Sequence, residues 1–442
     1  MGLCYSFIYR IPNSKHCDEI MKINKIILIT GAVALGAIIT LFCMHKERHV
    51  IQLPALTGPF AVGTTKYHLI DKSRKENASK NPEDYRELMV HIWYPIDKNI
   101  EGEPYPYLSQ EMPYVKHFIS EQSHTPLEKL GFLDVVKTRS IYNASVSSSN
   151  TRWPVVIFSP GDGTGVVRSY TSVLEDLASH GYIVVGIDHP YDNLVTFFPD
   201  GRIIRPEDAK PVTQKPVDNP NEMLEIRSKG LSDMMDRWVQ DTKFVLDKLE
   251  KMNINDPNHL LTSKLDLSHI GIFGHSFGGA TAVQVCRQDS RCKAGILIDG
   301  SPEGKDAQMA FDKPFMFLEA SQSVDLGNYP PDEMLEKMHM TKADVDKVII
   351  DYRSAIENLF NYLLNDAYLA ILKKADHMSF TDYPFLLPSL PPGTIAPLKG
   401  IEITRKLVVD FFDVYLKNKD RNQFIALLKG LPEITEKIKI KK

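Results

Sequence analysis

Cysteine is scarce in this chain: five among 442 residues, too few for a disulfide framework. Cys4, Cys17 and Cys43 fall in or before an N-terminal apolar segment. Only Cys286 and Cys292 remain in the body, where they either pair or stay as two buried thiols. No CxxC and no Cys/His cluster with zinc spacing occurs, so no metal is expected. A long block of one charge is also missing, and the net charge is −4; nothing points to a nucleic-acid partner. The basic ending "EKIKIKK" reads as a short solvated tail. Internal repeats and low-complexity tracts are absent.

Apolar residues are plentiful at 43%, enough for one large domain with a sizeable core. One run stands apart. "IILITGAVALGAIITLFCM", residues 26–44, is uncharged and about as long as a bilayer core is thick. Arg10, Lys15, Lys22 and Lys25 precede it, which predicts a transmembrane signal anchor with the body on the exported side, periplasmic or extracellular. "TLFCMH" is a poor cleavage site, so secretion after cleavage is the alternative. Met21 opens a second possible start. The expected layout is an N-terminal cytoplasmic or upstream segment (1–25), the anchor (26–44), a catalytic domain (45–430) and a basic tail (431–442).

Within the domain, continuous apolar runs alternate with helical patterns. "WPVVIFSPG", "YIVVGIDHP", "HIGIFG", "GILIDG", "PFMFLEA" and "LAILKKADH" read as buried strands. "SYTSVLEDLASHG", "LSDMMDRWVQDTKFVLDKLEKM" (231–252) and "GGATAVQVCRQ" read as helices. Such alternation means an α/β fold, with a mostly parallel central sheet covered by helices on both faces. Residues 97–150 show no clear period. Two insertions, near 191–230 and 321–366, are long enough to be lids or caps over a site.

The chemistry centres on "GHSFGG". A strand, "HIGIF", precedes it and a small-residue helix, "GGATAVQ", follows. Gly274-His275-Ser276-Phe277-Gly278 in that setting is a nucleophile elbow of the α/β-hydrolase type. A serine hydroxyl needs a base. His377 leaves the last strand after "YLAIL", where a base belongs; His339 sits in a cap-like helical stretch. For the acid that orients the base, Asp299, Glu319 and Asp325 all lie at or after strand ends. Asp376, beside His377, reads as a surface or turn residue. Two backbone N–H donors must stabilise an oxyanion. One belongs to Phe277, and the other to the pliable loop "SPGDGTG" with Gly161, Gly163 and Gly165. That loop lacks the Lys-Ser/Thr of a phosphate cradle.

At these residues the chain resembles the plasma-type platelet-activating-factor acetylhydrolases, or group VII phospholipases, and their bacterial relatives. The resemblance runs through "LTGPFAVGTT", "HIWYP", "VIFSPGDG", "LASHGYIVVGIDH", "GHSFGGATAVQ", "ILIDG" and "ADHMSFTD". It implies an α/β-hydrolase fold and calcium-independent hydrolysis of short or oxidised acyl chains at the second glycerol position, without cofactor or metal. It also implies Ser276 as nucleophile, Asp299 as acid, His377 as base, and Asp162 and Phe277 as oxyanion donors. One departure stands out: the family's first oxyanion loop usually begins His-Gly, and here it is Pro160-Gly161. The implied partner is phospholipid at a membrane interface. The aromatic stretches "YPYLSQEMPY" and "YPFLLPSLPP" are the candidate contacts with it, with plain loop packing as the equal alternative. The alternatives are an esterase for polyesters or small molecules, and a catalytically inactive hydrolase fold that only binds.

Overall fold

Strands that are apolar on both faces need cover on both sides, and the chain provides it. The computed structural model describes residues 53–441 apart from 124, 164, 211–219, 305–308, 331, 338–339 and 388–392. The apolar run at 26–44 lies outside the described residues. Among the described residues no helix is long and apolar enough to cross a membrane.

Thirteen strands occur among the described residues: β1 (Ala61–Lys75), β2 (Tyr85–Ile96), β3 (Pro104–Pro106), β4 (Lys137–Tyr142), β5 (Trp153–Ser159), β6 (Ile183–Asp188), β7 (Thr196–Phe197), β8 (Ile203–Ile204), β9 (Leu265–His275), β10 (Cys292–Ile298), β11 (Phe315–Ala320), β12 (Ala367–Leu372) and β13 (Ile434–Lys439). Eleven of them form one sheet in the order β13-β12-β11-β10-β9-β5-β6-β2-β1-β4-β3, and β7 pairs with β8. From β12 to β6 the neighbours are parallel. The carboxyl ends of β5, β6, β9, β10, β11 and β12 therefore share one edge, where open α/β sheets carry their sites.

The helices cover this sheet as the pattern requires. On one face, α2 (Thr171–Ser179) and α6 (Pro397–Lys417) bring Leu174, Leu177, Leu407 and Phe411 against Val156, Phe158 and Phe273. On the other, α3 (Pro220–Ile254), α4 (Phe277–Gln288) and α5 (Lys342–Tyr362) bring Trp238, Val283 and Ile356 against Val155, Ile157 and Ile272. The alternation within β5 (Val155 and Ile157 one way, Val156 and Phe158 the other) is the period-two rule at work. Cys286 and Cys292 are disulfide-bonded, tying the end of α4 to the start of β10.

Three expectations need correction. The basic ending is no solvated tail: β13 pairs antiparallel with β12, from Ile434 opposite Leu372 to Lys439 opposite Ala367. Its isoleucines supply a buried side and its lysines an outer one, and charge on an edge strand discourages further pairing. The helix expected over 231–252 runs through Pro220–Ile254, so the last eleven residues of the first insertion, 220–230, belong to it. The second insertion is not wholly a cap, because Tyr352, Ile356, Leu359 and Phe360 of α5 join the main core. Only Leu335, Met340, Val345, Val348 and Ile349 form a separate cluster. The aperiodic stretch 97–150 yields β3, β4 and a helix, α1 (Met112–Ser123).

The segment leading into β1 is tied down by charge. Arg405 of α6 bonds both the Ala55 carbonyl and the Asp176 carboxylate, which also accepts from the N–H and hydroxyl of Thr57. Arg405 and Asp176 are both buried. Removing one partner of a buried pair strands the other. Asp176→Ala is therefore expected to lower unfolding stability by about 3–5 kcal/mol in a urea titration; a loss below about 1 kcal/mol would contradict this.

Candidate active site

Strand β9 ends at His275, and the backbone then turns sharply. Ser276 sits at φ 56° and ψ −124°, a conformation that costs a non-glycine residue about 1–3 kcal/mol. The surroundings enforce it. The Ser276 N–H donates to the Ile298 carbonyl at 2.8 Å, and its own carbonyl accepts from the Gly279 N–H at 2.9 Å. Any side chain at Gly274 would strike the backbone of Gly278, and any at Gly278 the carbonyls of Ser159 and Pro160. The two glycines of the elbow are thus required by close backbone approach.

The neighbouring strand ends bring an acid and an imidazole together. Asp299 follows β10 with φ 42° and is almost fully buried. Its Oδ1 accepts from the Ala320 N–H at 2.7 Å, and its Oδ2 accepts from the Ser323 hydroxyl at 2.9 Å. His377 Nδ1 lies 2.6 Å from that same Oδ2. A proton held on Nδ1 leaves Nε2 as the basic nitrogen. The His377 side chain remains partly open to solvent.

The other candidate acids go elsewhere. The Glu319 carboxyl accepts from the Tyr352 hydroxyl at 2.7 Å. Burial, and then the charge of Asp299, push it well above the usual carboxylate range, so it is neutral. Asp325 is exposed. Asp376 is buried, not a surface residue: its Oδ1 accepts from the Ser379 hydroxyl at 2.7 Å, capping the turn that carries His377. His339 lies outside the described residues.

The loop after β5 abuts the elbow. A side chain at Gly161 would lie 3.3 Å from the Ser276 Cβ. Asp162 follows in the turn with its side chain exposed, so its N–H is the group of interest. Phe277 is the first residue of α4, and a helix's first N–H groups have no partner within the helix.

The family described as "Platelet-activating factor acetylhydrolase, isoform II" matches residues 45–434. The chain belongs to that family. Its relatives include a probable 1-alkyl-2-acetylglycerophosphocholine esterase of Arthroderma benhamiae, 29% identical over 56% of this chain and 58% of that protein. The platelet-activating factor acetylhydrolase of Bos taurus is 24% identical over 52% of this chain and 55% of that one. The matches thus span little more than half the length of these curated relatives. Among solved structures, a ferulic acid esterase from Streptomyces cinnamoneus superposes with a TM-score of 0.64 at 26% identity, covering 87% of this chain and 98% of that one.

In this acetylhydrolase-family chain, the elbow histidine does more than fill its place in the motif. His275 is 2% exposed. Its Nδ1 accepts from the Tyr170 hydroxyl at 2.8 Å, and its Nε2 donates to the His377 carbonyl at 2.9 Å. Tyr170 in turn accepts from the Gly161 N–H at 3.3 Å. Burial, and then His377 beside it, hold the His275 imidazole well below the ordinary histidine range, so it stays neutral. One buried ring thereby joins the elbow, the loop after β5 and the loop bearing His377. Imidazole and carboxylate atoms of His275, Asp299 and His377 lie within 4.8 Å of one another, but both His275 nitrogens are already bonded, which argues against a metal there. Sequence reasoning missed Tyr170, because nothing around "SYTSVL" marks it.

Of the two readings of the aromatic stretches, membrane contact and loop packing, the buried residues fit the second. Tyr107, Leu108 and Met112 of the first, and Tyr383, Leu386 and Leu387 of the second, are buried in one cluster with Val166, Leu194 and Met378. They pack the loops around the site, because apolar side chains without a secondary-structure period still gain from mutual burial.

Two acids at neighbouring strand ends with different partners give a direct comparison. Asp299→Asn is expected to lower kcat by about ten-thousand-fold through a misoriented imidazole. Glu319→Gln, one neutral hydrogen-bonding group for another, keeps kcat within about tenfold. A folded-state value raised above 4.5 means that Glu319 stabilises the fold at low pH and loses that contribution as pH rises. The stability of Glu319→Gln relative to the parent therefore climbs between about pH 5 and pH 9. Chemical denaturation at both pH values, with steady-state kinetics, checks the pair; a reversed activity ranking would move the acid to Glu319.

Proposed function

We propose that this chain is a serine esterase, and that its substrates are phospholipids with a short or oxidised second-position acyl chain. The carrying observation is the 2.6 Å contact between His377 Nδ1 and Asp299 Oδ2, beside a serine held on a strained strand-to-helix turn. The family membership and the esterase and acetylhydrolase names of the relatives support the same reading. An apolar run at residues 26–44 fits an enzyme that meets its substrate at a lipid interface.

In this reading Ser276 Oγ attacks the ester carbonyl carbon while His377 Nε2 takes the hydroxyl proton. Asp299 holds Nδ1–H and stabilises the imidazolium that forms. The tetrahedral oxyanion receives hydrogen bonds from the N–H groups of Asp162 and Phe277. Collapse of the intermediate expels the alcohol, which His377 protonates. Water, deprotonated by the same imidazole, then attacks the acyl-serine and releases the acid. Every step uses a group held in a hydrogen-bonded loop beyond a strand end or in the first turn of α4, so little reorganisation accompanies the charge development.

A second reading rests on the ferulic acid esterase, whose whole length this chain nearly covers: a small aromatic ester in place of a phospholipid. A substrate panel separates the two. The expected result is hydrolysis of 2-acetyl phosphatidylcholine analogues, unchanged by a calcium chelator, with long-chain phosphatidylcholine and methyl hydroxycinnamates turned over poorly. A preference for hydroxycinnamates favours the second reading, and loss of activity in chelator contradicts the first. Ser276→Ala should retain the fold and only the residual catalysis that binding and oxyanion stabilisation provide; near-normal turnover would end the serine-esterase account.

A further inference from the structure

A peptide N–H cannot be aimed independently of the carbonyl on the same unit, because the two point in opposite directions across one trans plane. The Asp162 N–H shares its peptide unit with the Gly161 carbonyl. That carbonyl has a partner well outside the loop: Asn193 Nδ2 donates to it at 3.3 Å. We propose that Asn193 is a positioning residue that aims the Asp162 N–H at the reacting oxygen by holding the other end of its peptide unit. The inference rests on the serine-esterase reading, in which that N–H is an oxyanion donor.

Asn193 is suited to this by burial and by the way its amide is oriented. It is 1% exposed, in the turn that follows β6. Its Oδ1 accepts from the His189 N–H at 2.5 Å, and its own N–H donates to the His189 carbonyl at 3.0 Å. With Oδ1 committed to a donor, the amide nitrogen must face the other way, toward Gly161. A hydrogen bond to the carbonyl also polarises the peptide unit and makes its N–H a stronger donor. Aspartate in this place would set an acceptor against an acceptor, and alanine would leave the carbonyl unheld.

The turn that carries Asn193 is itself clamped to the loop on both sides. The Gly163 N–H donates to the Asp192 carbonyl at 2.6 Å, and the Leu194 N–H to the Gly165 carbonyl at 3.1 Å. The Asp192 carboxylate is held by Arg237 at 2.6 and 2.9 Å and by the Trp238 indole N–H at 2.9 Å. His189 stacks on Trp238 with centroids 3.8 Å apart and bonds Asp241 at 2.9 Å and the Ser159 hydroxyl at 3.1 Å. Asp241, His189 and Ser159 have the order of a catalytic triad, but all three are buried. No substrate reaches them, and they brace the base of the loop.

The test uses the full chain with Asn193→Asp, Asn193→Ala and Ser276→Ala. Three quantities are read: kcat and KM on a 2-acetyl ester, the melting temperature, and the inhibition constant of a trifluoromethyl ketone. The ketone reports the oxyanion site directly. Ser276 Oγ bonds to its carbonyl carbon, the carbonyl π pair moves onto oxygen as the oxyanion, and the hydroxyl proton passes to His377. In both Asn193 variants kcat should fall about 10- to 100-fold, short of the 10²–10³-fold that follows outright loss of a donor. KM should stay within about threefold, and the ketone should bind more weakly by a factor that tracks kcat. The aspartate variant keeps the shape of the side chain and the contact with the His189 N–H, so it decides the matter if the alanine variant fails to fold. Unchanged kcat and ketone affinity in the folded aspartate variant, or a lowered melting temperature as its sole change, overturns the inference. Failure of the parent reading looks different: Ser276→Ala would then remain active.

Discussion

The site depends on one collision of backbones. Where β9 meets α4, Gly274 approaches Gly278, and Gly278 approaches the carbonyls of Ser159 and Pro160. No room remains for a gentler turn, and Ser276 is left at φ 56°. A cost of about 1–3 kcal/mol is small against a core in which both faces of the sheet are covered. The strain is useful because it sets a side chain on the tip of the turn while keeping the first N–H of α4 beside it. The same collision brings the loop after β5 to the elbow, so Ser276 and that loop are placed by a single contact.

Immediately around that point the elbow and its neighbouring loops are joined by neutral hydrogen bonds, while the Arg237–Asp192 ion pair braces the turn behind them. Tyr170, His275 and the His377 carbonyl form a chain of uncharged groups, and Asn193 adds another from the far side of the loop. Buried neutral networks rigidify when every member is satisfied. Glu319, kept protonated by burial and by Asp299, adds one more uncharged group beside them.

Much of the fold was legible in the sequence because its central strands are continuous apolar runs, which only a doubly covered sheet satisfies. Ser276 and His377 could be singled out as candidates, since one lies in a glycine-bounded turn and the other directly beyond the last apolar run. Asp299 and Glu319 could not be separated on the residues alone. Both end parallel strands, and the difference lies in a positive φ at Asp299 and in a hydroxyl from Tyr352, 33 positions after Glu319. β13 was illegible because alternating lysines look like a tail until a neighbouring strand supplies the other edge. Tyr170 and Asn193 carry no local signal for these roles: His275 and Gly161, the groups they hold, lie 105 and 32 positions away.

The central claim is that the strained serine is the group that bonds to substrate. It is tested most directly by treating the full chain with a fluorophosphonate and mapping the adduct by peptide mass spectrometry. The account predicts one phosphonylated residue, Ser276, with labelling slowed by a 2-acetyl phosphatidylcholine analogue. An adduct on another residue, or an unlabelled Ser276 in protein that still hydrolyses the ester, would contradict it.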